Sequence, residues 1–274
     1  MLLSSPFAGK RSGSQGVHMK VVAVANQKGG VGKTTTSVNL AASLAAMGRQ
    51  VLLIDLDPQG NATMSSGVDK HEVEATAYDL LVDQRSITEV IVPAADNGFW
   101  LVPANRNLTA AEVELLNVQN RERRLTEALL NAEGFDLVLI DCPPSLSMLT
   151  VNAFVAAQSV IITMQCEYFA LEGLSALLNT IRRIADTVNP DLEIEGILRT
   201  MYDPRNSLTG EVSSQLHKHF GDLVYRTVIP RNVRLAEAPS HGMPALHYDR
   251  YSSGARAYAA LAGEFVKRQK PTTP

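Results

Sequence analysis

Cysteine is scarce in this 274-residue chain: Cys142 and Cys166 are the only two, and they fit no CxxC or other metal-ligand spacing. Their scarcity excludes a disulfide framework and a cysteine-built metal centre. A reducing, cytoplasmic setting follows as the default, with both thiols packed as small hydrophobes. Long apolar runs are also missing. No stretch approaches the ~20 residues that a membrane-spanning helix requires, and Leu2-Leu3 is too short for the core of a signal peptide. Charge of one sign is not in excess either, since the net charge is −3. On composition alone that argues against a general nucleic-acid binder. Neither an internal repeat nor a low-complexity linker divides the chain, so one domain is expected rather than two. Residues 1–18, rich in Ser and Gly, read as a flexible extension ahead of Met19. Residues 19–268 read as the domain, and 269–274 as a disordered tail.

What the chain does contain is enough apolar material, 45% of its residues, to bury a full core. Its charge is unevenly spread. Residues 1–198 hold 14 Lys+Arg against 22 Asp+Glu, whereas residues 199–274 hold 11 against 6. A balance of −8 followed by one of +5 suggests a basic surface built late in the chain. Short apolar runs alternate with longer amphipathic stretches. Strands are expected at 20–26, 50–57, 99–104, 135–144, 159–164 and 192–202. Several are almost continuous Val, Ile and Leu, the composition of parallel strands covered on both faces. Helices are expected over 33–47 (stopped by Gly48), 109–131 (capped by Thr109), 170–188, 208–219 and 252–268. Alternation of this kind predicts an α/β fold: a doubly wound, mostly parallel sheet flanked by helices, with ligands at the C-terminal strand ends.

The segment "ANQKGGVGKTTT", residues 25–36, sits where such a ligand would bind. It ends like a phosphate-binding loop of the form G-x-x-x-x-G-K-[ST], yet Gln27 stands where the first glycine belongs and Lys28 follows it. Gly29, Gly30 and Gly32 would let backbone N–H groups converge on phosphate oxygens at a helix N-terminus. Lys33 would reach the β- and γ-phosphates, and the Thr34 hydroxyl would ligate Mg²⁺. "LVLID" sets Asp141 at a strand end, where an aspartate holds Mg²⁺ through water. "LIDLDPQGN" sets Asp55 and Asp57 at another. Asp57 would orient the attacking water and Asp55 would have a supporting role.

Taken together, KGGVGKTT, DLDPQGN, LIDCPPS and VIPRNVRLAEAPSHG resemble the ParA/Soj partitioning ATPases. These lie within the deviant-Walker-A class of P-loop NTPases that also contains MinD. The likeness runs from about Met19 to about Arg268. It implies an Mg²⁺-dependent, intrinsically weak ATPase cycling between ATP and ADP, with Gly29, Gly30, Val31, Gly32, Lys33, Thr34 and Thr35 around the phosphates. Lys28 becomes the signature lysine, which crosses an ATP sandwich homodimer to the phosphates of the other subunit, a cation in trans like an arginine finger. Asp57 takes the hydrolytic water, and Pro230 and Asn232 take the base end of the nucleotide. Non-specific DNA and a ParB-type centromere-binding protein are the implied partners, in a cytoplasmic, nucleoid-associated setting. Candidate DNA contacts are Arg199, Arg205, Arg226, Arg231, Arg234 and Arg256.

Four rival functions would leave sequence marks. A MinD-like membrane role calls for an amphipathic C-terminal helix, but Tyr258, Leu261, Phe265 and Val266 read as core contacts, so no membrane partner is expected. A metal-carrier ATPase calls for a paired-Cys motif, and a small-molecule ligase for a substrate pocket that no segment suggests. A module that only holds ATP would lack an acid such as Asp57. His217 and His219, two apart on a helix, point away from each other and read as surface.

Overall fold

The protein is described here from a computed structural model covering residues 19–269. The expected extension 1–18 and residues 270–274 of the expected tail 269–274 lie outside the described residues, while Gln269 is described and donates to Glu195 at 2.7 Å. Among the described residues, eight strands make one sheet: β1 (Lys20–Ala25), β2 (Val51–Asp55), β3 (Val92–Pro93), β4 (Trp100–Val102), β5 (Leu137–Asp141), β6 (Ser159–Gln165), β7 (Glu193–Tyr202) and β8 (Val224–Pro230). Their order is β3-β4-β2-β5-β1-β6-β7-β8. Every pairing is parallel except that of β3 with β4.

The parallel strands are buried on both sides, as their unbroken apolar sequences require. Within β1, Val21, Ala23 and Ala25 join one core while Val22 and Val24 join the other. The second core is closed by α1 (Lys33–Ala46), with Ala62 of α2 (Asn61–Ser65) beside it. The first core is covered by α3 (Ala77–Leu81), α4 (Ile87–Val90), α5 (Leu108–Glu114), α6 (Arg124–Leu129), α7 (Met148–Ala156), α8 (Ala170–Thr187) and α9 (Ser207–Phe220). The chain then returns to the second face through α10 (Val233–Glu237), α11 (Ala245–Tyr248) and α12 (Ser253–Arg268). Tyr258, Leu261 and Phe265 of α12 are fully committed to that core, with Val266 partly buried beside them. The apolar face that a membrane-inserting helix would need is thereby used inside the fold. No helix among the described residues is long and apolar enough to cross a bilayer.

Most element boundaries agree with the sequence periodicity. Gly48 ends α1 with φ +82°, and the N–H groups of Gly48 and Arg49 return to the carbonyls of Ala45 and Leu44, the pattern of a Schellman stop. One expected helix is wrong. The stretch 109–131 is not continuous: α5 ends at Glu114, Asn120 adopts φ +52°, and a new helix starts at Arg124. The polar run Asn117–Arg123 carries no stripe to bury, so the chain turns there instead of crossing the sheet as one rod. Thr109 accordingly lies inside α5 and is not its cap. The reverse error concerns α7, which periodicity misses because Leu149, Thr150, Asn152, Ala153, Phe154 and Val155 are all buried and leave no polar stripe.

Candidate functional site

The parallel sheet brings the ends of β1, β2 and β5 to one edge, and register makes the alignment tight. Asp55 pairs directly with Asp141 across β2 and β5, and Val24 of β1 pairs with Asp141 on its other side. The loop leaving β1 then turns directly into α1. Gly30 and Gly32 hold φ +73° and +81°, a region that side-chain-bearing residues rarely enter. Gly32 is also the residue before the first turn of α1, and no side chain caps that helix. The first N–H groups of α1 therefore remain for a ligand, and the helix dipole favours an anion there.

A cavity of about 480 Å³ opens at this point, lined by Gly29, Gly30, Lys33, Thr34, Asp57 and Pro144 among others. Lys33 is 6% exposed, and its ammonium donates to the Lys28 carbonyl at 3.1 Å. Burial lowers its pKa, and the nearby Asp141 opposes that shift. Asp141 accepts two hydroxyl hydrogen bonds, from Thr34 at 2.8 Å and from Ser37 at 2.8 Å. Its carboxyl is wholly buried and is pushed up to about 8, first by desolvation and then by Asp55. Such a group is short of positive charge, so the donor set suits a cation beside Thr34. No cluster of three or more His, Cys, Asp or Glu able to hold a metal exists among the described residues. A Mg²⁺ here would depend on Thr34, on Asp141 and on the phosphates it accompanies, which is the usual manner of that ion.

Asp55 and Asp57 divide their work as their surroundings dictate. Asp55 is 0% exposed and accepts from the Asp57 N–H, the Thr63 N–H and the Thr63 hydroxyl. Burial pushes it up to about 6 against those three donors. Its part is to fasten the 57–63 turn. Asp57 borders the cavity, with one carboxyl oxygen taken by the Gln59 N–H at 2.9 Å.

A second cavity, of about 410 Å³, adjoins the first and shares Gly32, Thr35 and Met201 with it. Its walls include Thr200, Ile229, Pro230, Asn232 and Tyr258, mostly apolar. Asn232 caps α10 by accepting from the Leu235 N–H, and it donates to Ser253 at 2.9 Å. Thr200 and Met201 escaped the sequence reading. Thr200 donates to the Val31 carbonyl at 2.9 Å, tying β7 to the glycine loop. Met201 has φ +48° on the boundary of both cavities, a strained backbone of the sort found where function over-determines geometry. Ser37, the other hydroxyl donor to Asp141, stands outside the loop motif. Its place one helical turn after Lys33 was the available signal.

Lys28 does not line the phosphate cavity of its own chain. Its side chain is 55% exposed and ends on Glu167 at 2.5 Å. Among the arginines proposed for DNA, Arg199 is corrected. It is 6% exposed and donates to Ser213 and to the carbonyls of Tyr225 and Arg226, a brace inside the fold and not a surface cation. Arg205 pairs with Asp203, and Arg234 pairs with Glu237 and Asp249. Arg226, Arg231 and Arg256 are exposed. Both cysteines are buried and free, and His217 and His219 lie at the surface.

Comparison with known proteins gives concordant results. The profile of the AAA domain family matches residues 19–194. The sporulation initiation inhibitor protein Soj of Bacillus subtilis is 52% identical over 246 residues, 89% of this chain and 97% of that protein. The chromosome partitioning protein ParA of Caulobacter vibrioides is 49% identical over 255 residues, 92% and 96% of the two chains. Among solved structures, cobyrinic acid a,c-diamide synthase from Mycobacterium smegmatis with bound ADP and magnesium superposes with a TM-score of 0.81 at 38% identity, covering 93% of this chain and 97% of that one. A glycine loop opening an uncapped helix, an aspartate on the neighbouring strand, and about 50% identity over most of the chain to proteins named Soj and ParA lead to one conclusion: this chain belongs to the ParA/Soj family of chromosome-partitioning ATPases.

Proposed function

We propose that this chain is an Mg²⁺-dependent, intrinsically slow ATPase of chromosome or plasmid segregation, in which ATP-bound sandwich dimers hold DNA non-specifically. Hydrolysis, stimulated by a ParB-type partner, releases the DNA. The observation that carries the reading is the divergence of the loop's two lysines. Lys33 is buried against the loop, whereas Lys28 lies off that cavity, its half-exposed side chain ending on Glu167.

The residues take the following parts. Gly29, Gly30, Val31, Gly32 and Thr35 surround the phosphates with backbone donors, and Lys33 neutralises the β- and γ-oxygens. Magnesium, when bound, offsets charge on the transferring phosphoryl group. Thr34 would hold it directly, and Asp141 through water. Asp57 orients the attacking water. Pro230 and Asn232 bound the apolar cavity that suits the base. Lys28 of each subunit serves the other's phosphates, so turnover depends on dimerisation. Arg226, Arg231 and Arg256 are the proposed DNA contacts, with Arg205 and Arg234 available if their ion pairs open.

A second reading, a small-molecule synthase, is favoured by the 38% likeness to the protein described as cobyrinic acid a,c-diamide synthase. A gel shift on non-specific duplex separates the two. Retention with ATP, none with ADP or without nucleotide, and steep loss with added salt are expected of the partition ATPase. Equal retention in all three states, or none in any, removes the DNA-gating proposal.

A further inference from the structure

We infer that Glu167 is a positioning residue for Lys28: it holds the Lys28 ammonium on its own subunit and so sets how readily two ATP-bound copies join. The inference rests on the reading of Lys28 as the residue that crosses to the second subunit.

Both residues stand on loops that leave neighbouring parallel strands, β1 and β6. Asn26 fastens the roots of those loops together. Its side-chain amide donates to the Thr163 carbonyl at 2.6 Å, and its carbonyl oxygen accepts the Lys28 N–H at 2.9 Å. The Lys28 backbone is thereby fixed beside β6, and its carbonyl is held from the other side by Lys33. Only the side chain keeps freedom, and it extends to Glu167, 139 residues further along the chain. Glu167 is itself seated in a short turn, with its N–H on the Gln165 carbonyl and its carbonyl accepting from Ala170 at the start of α8. A carboxylate carried on a fixed turn thus faces a fixed lysine root.

The strength of the contact suits a gate that opens. The two side chains are 55% and 43% exposed, so solvent screens the pair and holds its worth low. A triphosphate presents several negative charges in a site closed to water, where attraction is far stronger than at a surface. Lys28 therefore has a weak partner at home and a strong one across the dimer.

Glu167→Gln keeps the size and removes the charge. Sedimentation velocity of the full chain with AMPPNP and Mg²⁺ should show dimerisation tighter by about 2- to 30-fold, the range set by releasing one exposed ion pair in each of two subunits. Calorimetric AMPPNP affinity of the dilute monomer should stay within about two-fold, because Lys28 does not serve its own ligand. ATPase activity should reach half its maximum at a lower protein concentration, with an unchanged plateau. Dimerisation unchanged or weakened in Glu167→Gln overturns the inference, and so does monomer affinity that rises in step with dimerisation, since that reports long-range charge alone. Lys28→Ala distinguishes the two levels of the argument: it should abolish the analogue-dependent dimer. If Lys28→Ala dimerises like the unmodified chain, the reading of Lys28 fails together with this one. If it stays monomeric while Glu167→Gln changes nothing, only the role of Glu167 fails.

Discussion

The two cavities at the edge of the sheet are built from different material. The phosphate side comes mainly from residues before 198 and is polar, glycine-rich and tied by short hydrogen bonds: Thr34 and Ser37 to Asp141, and Thr63 to Asp55. The adjoining side comes mainly from residues after 198, and Ile229, Pro230, Leu235 and Tyr258 give it an apolar wall. Polyanion chemistry admits few solutions, because phosphate oxygens require N–H donors at close range and a cation beside them. An apolar slot for a flat ring admits many. The first side therefore repeats a recognisable pattern of residues, and the second does not.

Four substitutions test this contrast, and they divide between its two sides. Asp57→Ala, on the phosphate side, should slow single-turnover hydrolysis by roughly 10²- to 10⁴-fold while dimers still form with ATP. Normal turnover would pass the water-orienting part to another residue. Lys33→Ala should weaken ATP binding by roughly 100-fold or more, measured by calorimetry, since a buried partner of the phosphates is removed. Unchanged affinity would remove the loop assignment. Thr63→Val strips the hydroxyl that both donates to Asp55 and accepts from the Ala104 N–H at 2.9 Å. It should lower stability by about 1–3 kcal/mol in thermal or urea unfolding, because two buried groups lose a partner. On the apolar side, Asn232→Ala removes the cap of α10 and should cost about 1 kcal/mol of stability, with only a few-fold loss of ATP affinity. A loss as large as that of Lys33→Ala would show that the two sides are equally specific.

Legibility followed the same division. Lys33 and Thr34 could be singled out from the glycine motif, and Asp57 and Asp141 because each lies at or just past the end of an apolar strand evident in the sequence. Thr200 and Met201 could not, since nothing in "LRTMYDPR" announces that β7 will run beside the glycine loop. That contact depends on β6 lying between β1 and β7 and on the Thr200 hydroxyl reaching the Val31 carbonyl. Arg199 shows the same gap in reverse. As a letter it counts towards a basic surface, yet it is a buried brace between β7, β8 and α9. Net charge by segment counts residues and is blind to which way they face.

By itself the sequence determined the alternation of buried strands and covering helices, the glycine loop and its lysine, and the acids at two strand ends. These are local consequences of side-chain periodicity and backbone permissiveness, so a short window contains them. Only the tertiary structure decided that α7 is a helix, that 109–131 breaks in the middle, that Arg199 is interior, and that Lys28 rests on a carboxylate 139 residues away. Each of those outcomes depends on which surfaces meet once the sheet has closed, and contact between distant segments leaves no mark on either one alone.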